Sequence, residues 1–210
     1  MTTYNAIADS AVDLGSPLTI NLGGYYRDNP ISMAEADASA PTVPMGRLYY
    51  AEEQKAAGTH SASVPDDAQG ARRDWVEVID TLGNDGAGGG SVGGANNTQI
   101  TLPAGTYYIE AWAMAASDDA NGYTHRILLY NVTDTNYDAV GSSMYLGMAG
   151  AVSNSSTLFA KITIAASKVF ELRHDSSKGA PGGIPGGFAS NFGGLVEVYA
   201  GFKAWQLHAG

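Results

Sequence analysis

From Trp75 onward, apolar and polar residues alternate in short runs separated by clusters of Gly, Asn, Asp and Ser. A period of two places successive side chains on opposite faces of an extended chain, so the runs predict strands and the clusters predict turns. The predicted strands are Trp75–Thr81, Thr98–Leu102, Thr106–Met114, His125–Asn131, a short one near Ala139–Tyr145, Leu158–Ile164, Lys168–His174 and Gly194–Leu207. Pro103-Ala104-Gly105 is the turn ahead of Thr106, and Ala165-Ala166-Ser167 is short enough to join Leu158–Ile164 and Lys168–His174 as a hairpin. In the run starting at Thr106, Tyr107, Ile109, Ala111 and Ala113 share one face while Tyr108, Glu110 and Trp112 share the other. In the last run, Val196, Val198, Ala200, Phe202 and Ala204 form a core face; Glu197, Tyr199, Gly201, Lys203 and Trp205 form an aromatic, mixed face suited to an interface.

The segment from Met1 to Gly70 has a different texture. It is rich in Ala, Asp and Pro, and Pro17, Pro30, Pro41, Pro44 and Pro65 each remove a backbone donor and favour extended geometry before them. Only Arg47–Ala57 (RLYYAEEQKAA) has enough helix formers to predict a short helix. The chain therefore divides into an extended N-terminal arm over 1–70, ordered by docking through Ile7, Leu14, Leu18, Ile20, Leu22 and Tyr25, and a β domain over 71–210. Regularly spaced strands without a helical period predict an all-β antiparallel sandwich or jelly roll, ahead of a closed barrel.

Composition narrows the function. Of 210 residues, 44% are hydrophobic and 15% charged, which permits a core and argues against a disordered chain. The 27 glycines follow no three-residue period, and the run from Gly83 to Asn97 reads as an exposed loop, since no P-loop Lys-Ser/Thr follows it. With no cysteine, disulfides and thiolate-ligated metals are excluded. A net charge of −10 without a basic stripe disfavours nucleic acid, and no apolar run approaches the ~20 residues needed to insert through a bilayer.

No cofactor, metal or catalytic set emerges. His60, His125, His174 and His208 lie apart in sequence; His125 and His174 sit on predicted strands that could bring them together, and read as structural, hydrogen-bonded histidines. The pairs Asp66-Asp67 and Asp118-Asp119 read as solvated turn residues without calcium-loop spacing. Glu110, Glu171 and Glu197 are the carboxylates that a glycan hydrolase would have to bring together, and structural roles explain them better. Tyr123 and Tyr137 fall in predicted loops, where exposed rings can stack on sugars, with Asp118 and Asp119 nearby as polar partners.

Four stretches in order, ITLPAGTYYIEAWAMA, HRILLYNVTD, FAKITIAASKVFELRH and NFGGLVEVYAGFKAWQL, resemble the C1q/TNF-like jelly-roll modules of tailed-phage and gene-transfer-agent virion proteins. The resemblance covers about Trp75 to Leu207. Upstream, ADSAVDLGSPLT and YYRDNPISMAEADASAP resemble the adaptor segment that precedes such modules, with Glu35-Ala36-Asp37 where Glu-Gly is usual. The resemblance implies a homotrimeric knob with Tyr108, Trp112, Tyr199 and Trp205 at its interface. It also implies attachment through Tyr26, Arg27, Asp28, Asn29 and Pro30 to other virion proteins. The resulting expectation is a head spike, fibre or decoration knob on the particle surface, made in the bacterial cytoplasm and binding host polysaccharide. The alternatives are a capsid-stabilising decoration protein without a ligand, and a β-sandwich glycan hydrolase.

Overall fold

The computed structural model describes residues 47–64, 71–82, 90–94, 97–117, 122–147, 152–177 and 184–209. Within them the chain forms β1 (Leu48–Lys55), β2 (Ser63–Val64), β3 (Ala71–Arg72), β4 (Val76–Asp80), β5 (Ser91–Gly93), β6 (Gln99–Leu102) and β7 (Gly105–Ser117). Then follow β8 (Tyr123–Asn131), β9 (Asn136–Val140), β10 (Met144–Leu146), β11 (Val152–Ile164), β12 (Lys168–Ser176), β13 (Ile184–Pro185) and β14 (Glu197–Ala209). All pairings are antiparallel.

A front sheet runs β11-β7-β14-β1-β4 and a back sheet runs β10-β8-β12-β6-β5, with β3 beside β12 and β9 beside β8. A two-stranded pair, β2 with β13, stands apart from both. Each sheet interleaves strands from the early and late parts of the chain, and the chain changes sheet from β6 to β7, from β7 to β8, and from β11 to β12. That is a jelly roll.

This strand order corrects one expectation. Leu158–Ile164 and Lys168–His174 are not hairpin partners: β11 pairs with β7, and β12 pairs with β8, β6 and β3. Both strands carry inward apolar residues, and they belong to opposite layers of the sandwich, about 10 Å apart, rather than lying side by side. The Ala165-Ala166-Ser167 link crosses that gap. A second correction concerns the Gly-rich run, where Ser91–Gly93 forms a short strand against β6.

The predicted helix over Arg47–Ala57 is absent; its residues form β1, paired with β14 on one side and β4 on the other. Tyr49, Ala51 and Glu53 point inward and are buried, while Leu48, Tyr50 and Glu52 point outward. Local helix propensity loses to tertiary pairing on both edges. The division expected at residue 70 thus runs through the sandwich, since β1 precedes it.

The core lies between the sheets. Tyr107, Ile109, Ala111 and Ala113 of β7 are buried, as their alternation predicts, and Phe202 of β14 joins them. They meet Ile100, Leu102, Ile127, Leu129, Phe170 and Leu172 from the back sheet. Trp75, between β3 and β4, tilts against Phe202 with ring centroids 6.3 Å apart and seals one edge. A smaller cluster of Val64, Ala115, Leu146 and Ile184 fills the end capped by β2 and β13. Among the described residues no helix is long and apolar enough to cross a membrane.

Candidate functional site

The outer surface of the front sheet is aromatic. Cross-strand register sets Tyr108 of β7 beside Trp205 of β14, with Lys161 and Leu48 flanking them. The next row holds Phe159, Glu110, Lys203, Tyr50 and Ile79. Glu110 and Lys203 approach to 3.8 Å, and the Lys203 ammonium lies 5.5 Å from the Tyr50 ring centroid. Trp112 lies against Gly201, where a Cβ would stand 2.5 Å from the indole Nε1. Glycine at 201 is therefore what lets the indole lie down on the sheet.

Three of the four expected interface residues, Tyr108, Trp112 and Trp205, share this face; Phe159 and Tyr50 add to it. Tyr199 does not. It is buried, 2% exposed, under the loop around Gly187, and its hydroxyl donates to the Thr59 carbonyl at 2.9 Å. Ala200, Phe202 and Ala204 face the core as expected, but β14 begins only at Glu197, so Val196 lies exposed ahead of it, and connecting segments cover the outer side of the strand's first residues. Neither Tyr123 nor Tyr137 lies in a loop as expected: Tyr123 opens β8, half-buried against the small end cluster, and Tyr137 stands on β9 with 43% exposure, because the polar stretch ahead of each ends in strand pairing. Asp118, Asp119, the Asp66-Asp67 pair and Tyr26, Arg27, Asp28, Asn29 and Pro30 lie outside the described residues.

A chain of polar side chains runs through the sandwich interior. Glu53 of β1 and Arg73 are 1% and 2% exposed and pair at 2.8 Å. The Arg73 Nη1 also donates to Ser61 Oγ at 2.8 Å, and its Nη2 to the Met114 carbonyl at 3.0 Å. The same Nη2 is bonded to Nδ1 of His174, which is fully buried. His174 Nε2 is 2.8 Å from His125 Nδ1, and His125 Nε2 is 2.6 Å from Asn154 Oδ1. Asn154 in turn donates to the Tyr145 carbonyl at 2.8 Å.

The direction of this chain follows from its first donor. A guanidinium only donates, so His174 Nδ1 accepts and its proton resides on Nε2. That proton is donated to His125 Nδ1, and the His125 Nε2–H is donated to Asn154. Both imidazoles are thus neutral and in the same tautomer. The electrostatics agree: burial, with Arg73 and then His125 beside it, holds His174 well below the ordinary imidazole range. Burial also lowers His125, against the opposing pull of its Asn154 bond and with help from Arg73. The meeting of the two histidines was legible from their strands; Glu53, Arg73 and Asn154 were not.

The three strand carboxylates are kept apart. Glu110 is on the outer front sheet. Glu171 lies under the opposite surface, where it accepts from Arg173 Nε and Nη2 at 2.9 and 2.8 Å, from Arg72 at 3.1 Å and from Gln99 at 3.1 Å. Glu197 accepts from the Asn191 amide at 2.7 Å and from Ser190 Oγ at 3.1 Å, bonds that hold its carboxyl below the usual range. Each has a structural partner set, and no two flank a common cleft.

No protein-family profile matches the sequence. No curated protein matches it either. Among solved structures, the chain is similar to the globular domain of zebrafish complement 1qA protein, at 14% identity and a TM-score of 0.43, covering 78% of this chain and 98% of that one. It is also similar to Eiger TNF from S. frugiperda, at 7% identity and a TM-score of 0.43, covering 78% and 94%. The jelly-roll assignment itself rests on the strand order and register given above.

Proposed function

We propose that this chain is a non-enzymatic structural and recognition knob of a virus particle, assembled as a homotrimer through the outer face of the front sheet. The observation that carries the reading is the aromatic surface built by Tyr108, Trp205, Tyr50, Phe159 and Trp112 around a Glu110–Lys203 pair. Such a face is costly to leave in water, and its mixed charge suits a second copy of itself. The four stretches that resemble virion jelly-roll modules, and the upstream stretch that resembles their adaptor, support the placement on a particle. In this reading the arm, with Tyr26, Arg27, Asp28, Asn29 and Pro30, grips another virion protein. The knob meets host-surface polysaccharide, and several weak sites per knob add up to firm adsorption.

Native mass spectrometry of the full chain tests the assembly. Three chains per particle are expected, and Trp205→Glu combined with Tyr108→Glu should return the single protomer. A wild-type protein that stays a protomer at every concentration refutes the assembly. Deleting residues 1–40 should leave a trimer that no longer joins particles; normal incorporation of the truncated chain refutes the docking role.

A further inference from the structure

The outer surface of the back sheet carries a second arrangement, remote from the aromatic front face. Between β8, β9 and β12 lies a hollow of about 270 Å³ lined by Arg126, Leu128, Tyr137, Val140 and Asp175. Its floor is apolar: Leu128 is nearly buried, and Val140 and the Tyr137 ring stand beside it, half-exposed. Tyr137 is held by its neighbours. Its ring packs edge-on against Tyr130, with centroids 5.1 Å apart, and the Arg173 guanidinium sits 3.4 Å from the Tyr130 ring centroid. Arg173 is fixed in turn by Glu171.

The rim is polar and two-signed. Arg126 and Asp175 are cross-strand partners, with the guanidinium 3.8 Å from the carboxylate and half of the Arg126 side chain exposed. The same two residues border a neighbouring hollow of about 300 Å³, whose other walls are Thr124, His125, Ser143, Ser177 and the buried Ser176, whose hydroxyl donates to the Val64 carbonyl. An apolar, aromatic depression therefore adjoins a hydroxyl-lined one, with a donor and an acceptor on the ridge between them.

We infer that this double hollow is a binding site for a neutral pyranose ring, with Tyr137 stacking on the sugar face and Arg126 and Asp175 clasping a pair of adjacent hydroxyls. The chemistry is complementary in three ways. A pyranose presents one face of C–H groups, which suits an aromatic ring rather than a carboxylate or a phosphate. Each sugar hydroxyl both donates and accepts, so an Asp–Arg pair satisfies two neighbouring hydroxyls without leaving either charge unpaired. The serine and threonine hydroxyls of the adjoining hollow suit a further ring or substituent. Net charge points the same way, since a chain at −10 repels anionic ligands.

The inference rests on the reading of the chain as a surface-recognition knob, and deepens it by placing the sugar site and naming its residues. Saturation-transfer NMR on the full-length protein tests it, with glucose, galactose, mannose, rhamnose and N-acetylglucosamine as separate probes. Saturable transfer to at least one sugar is expected below about 20 mM, in the weak range typical of single contacts. Tyr137→Ala should abolish transfer, Asp175→Asn should weaken binding at least about tenfold, and Tyr137→Phe should keep it within about threefold because the stacking ring remains. Phe192→Ser, on the loop before β14, should bind as wild type does. Absence of transfer from all five sugars overturns the inference, as does binding that survives Tyr137→Ala in a protein with an unchanged thermal midpoint. Native mass recorded on the same samples separates the two readings: a trimer that binds no sugar sinks only the site, and a protomer that binds sugar sinks only the assembly.

Discussion

Acid should loosen this sandwich at a pH where its carboxylates are still ionised, because His174 and His125 are neutral in the fold and have no place for another proton. The perturbation is a shift from pH 7 toward pH 5. In the unfolded chain both imidazoles titrate near 6.5, whereas in the fold both stay neutral to lower pH. A group whose folded pKa is depressed contributes stability that is fully present above its unfolded pKa. That contribution is lost as pH falls through the window below it, since the unfolded state then binds more protons.

While it stays neutral in the fold, each such histidine adds at most about 1 kcal/mol per pH unit to the slope below pH 6. Against a total stability of about 5–15 kcal/mol, one pH unit is a large fraction. The assay is urea unfolding followed by tryptophan fluorescence at half-unit steps, using Trp75 in the core as reporter. The comparison that isolates the cause is His125→Gln, which keeps an acceptor for His174 and a donor for Asn154 but cannot titrate. Its slope between pH 6 and pH 5 should be shallower than that of wild type, because one of the two groups that take up a proton on unfolding is gone. Equal slopes in the two proteins, or a wild-type stability that is flat from pH 7 to pH 5, would refute the neutral-pair reasoning.

Glu53→Ala strands a buried guanidinium and should cost about 3–5 kcal/mol in urea unfolding, whereas Glu53→Met with Arg73→Met together should recover much of the loss. Gly201→Ala sets a methyl where the Trp112 indole lies; a loss of about 1–3 kcal/mol and a red-shifted tryptophan emission are expected, and unchanged emission would show that the indole does not rest there. Ile109→Ala, at a fully buried position facing the back sheet, should lower stability by about 2–5 kcal/mol in calorimetry.

Strands whose two faces differ cleanly were legible in the sequence. Tyr107, Ile109, Ala111 and Ala113 could be separated from Tyr108, Glu110 and Trp112 by parity alone, and the outer aromatic face followed from that. β1 was illegible for a specific reason: its inward parity includes Glu53, a charge made acceptable in the core by Arg73, 20 positions away, together with the Ser61 hydroxyl. Read without Arg73, the string AEEQK is a solvated helix. Layer assignment was illegible too, since a three-residue link serves equally for a hairpin or for a crossing between sheets. Tyr199 was misplaced because parity gives the face of a strand, not what later covers that face. The hollow beside Tyr137 needs β8, β9 and β12 in register, and no spacing along the chain encodes that.

The interior chain and the proposed contact face meet on one strand, and this couples stability to assembly. β1 presents Leu48 and Tyr50 to the outer surface from the same eight residues whose Glu53 is tied to Arg73 inside. The ladders to β14 and β4 fix the register of β1, while apolar packing across the layers is non-directional. The ion pair, extended through His174 and His125 of the back sheet to Asn154 of β11, gives that strand a directional anchor across both layers. Glu53→Gln removes the charge from the anchor but leaves the outer surface chemically intact. It should therefore weaken the proposed self-association at pH 7, and wild type near pH 5 should show a weakening of the same sense. Sedimentation velocity over a dilution series reads both effects. If Glu53→Gln lowers the unfolding midpoint while association stays as in wild type, the inner chain stabilises the protomer only, and the contact face owes nothing to it.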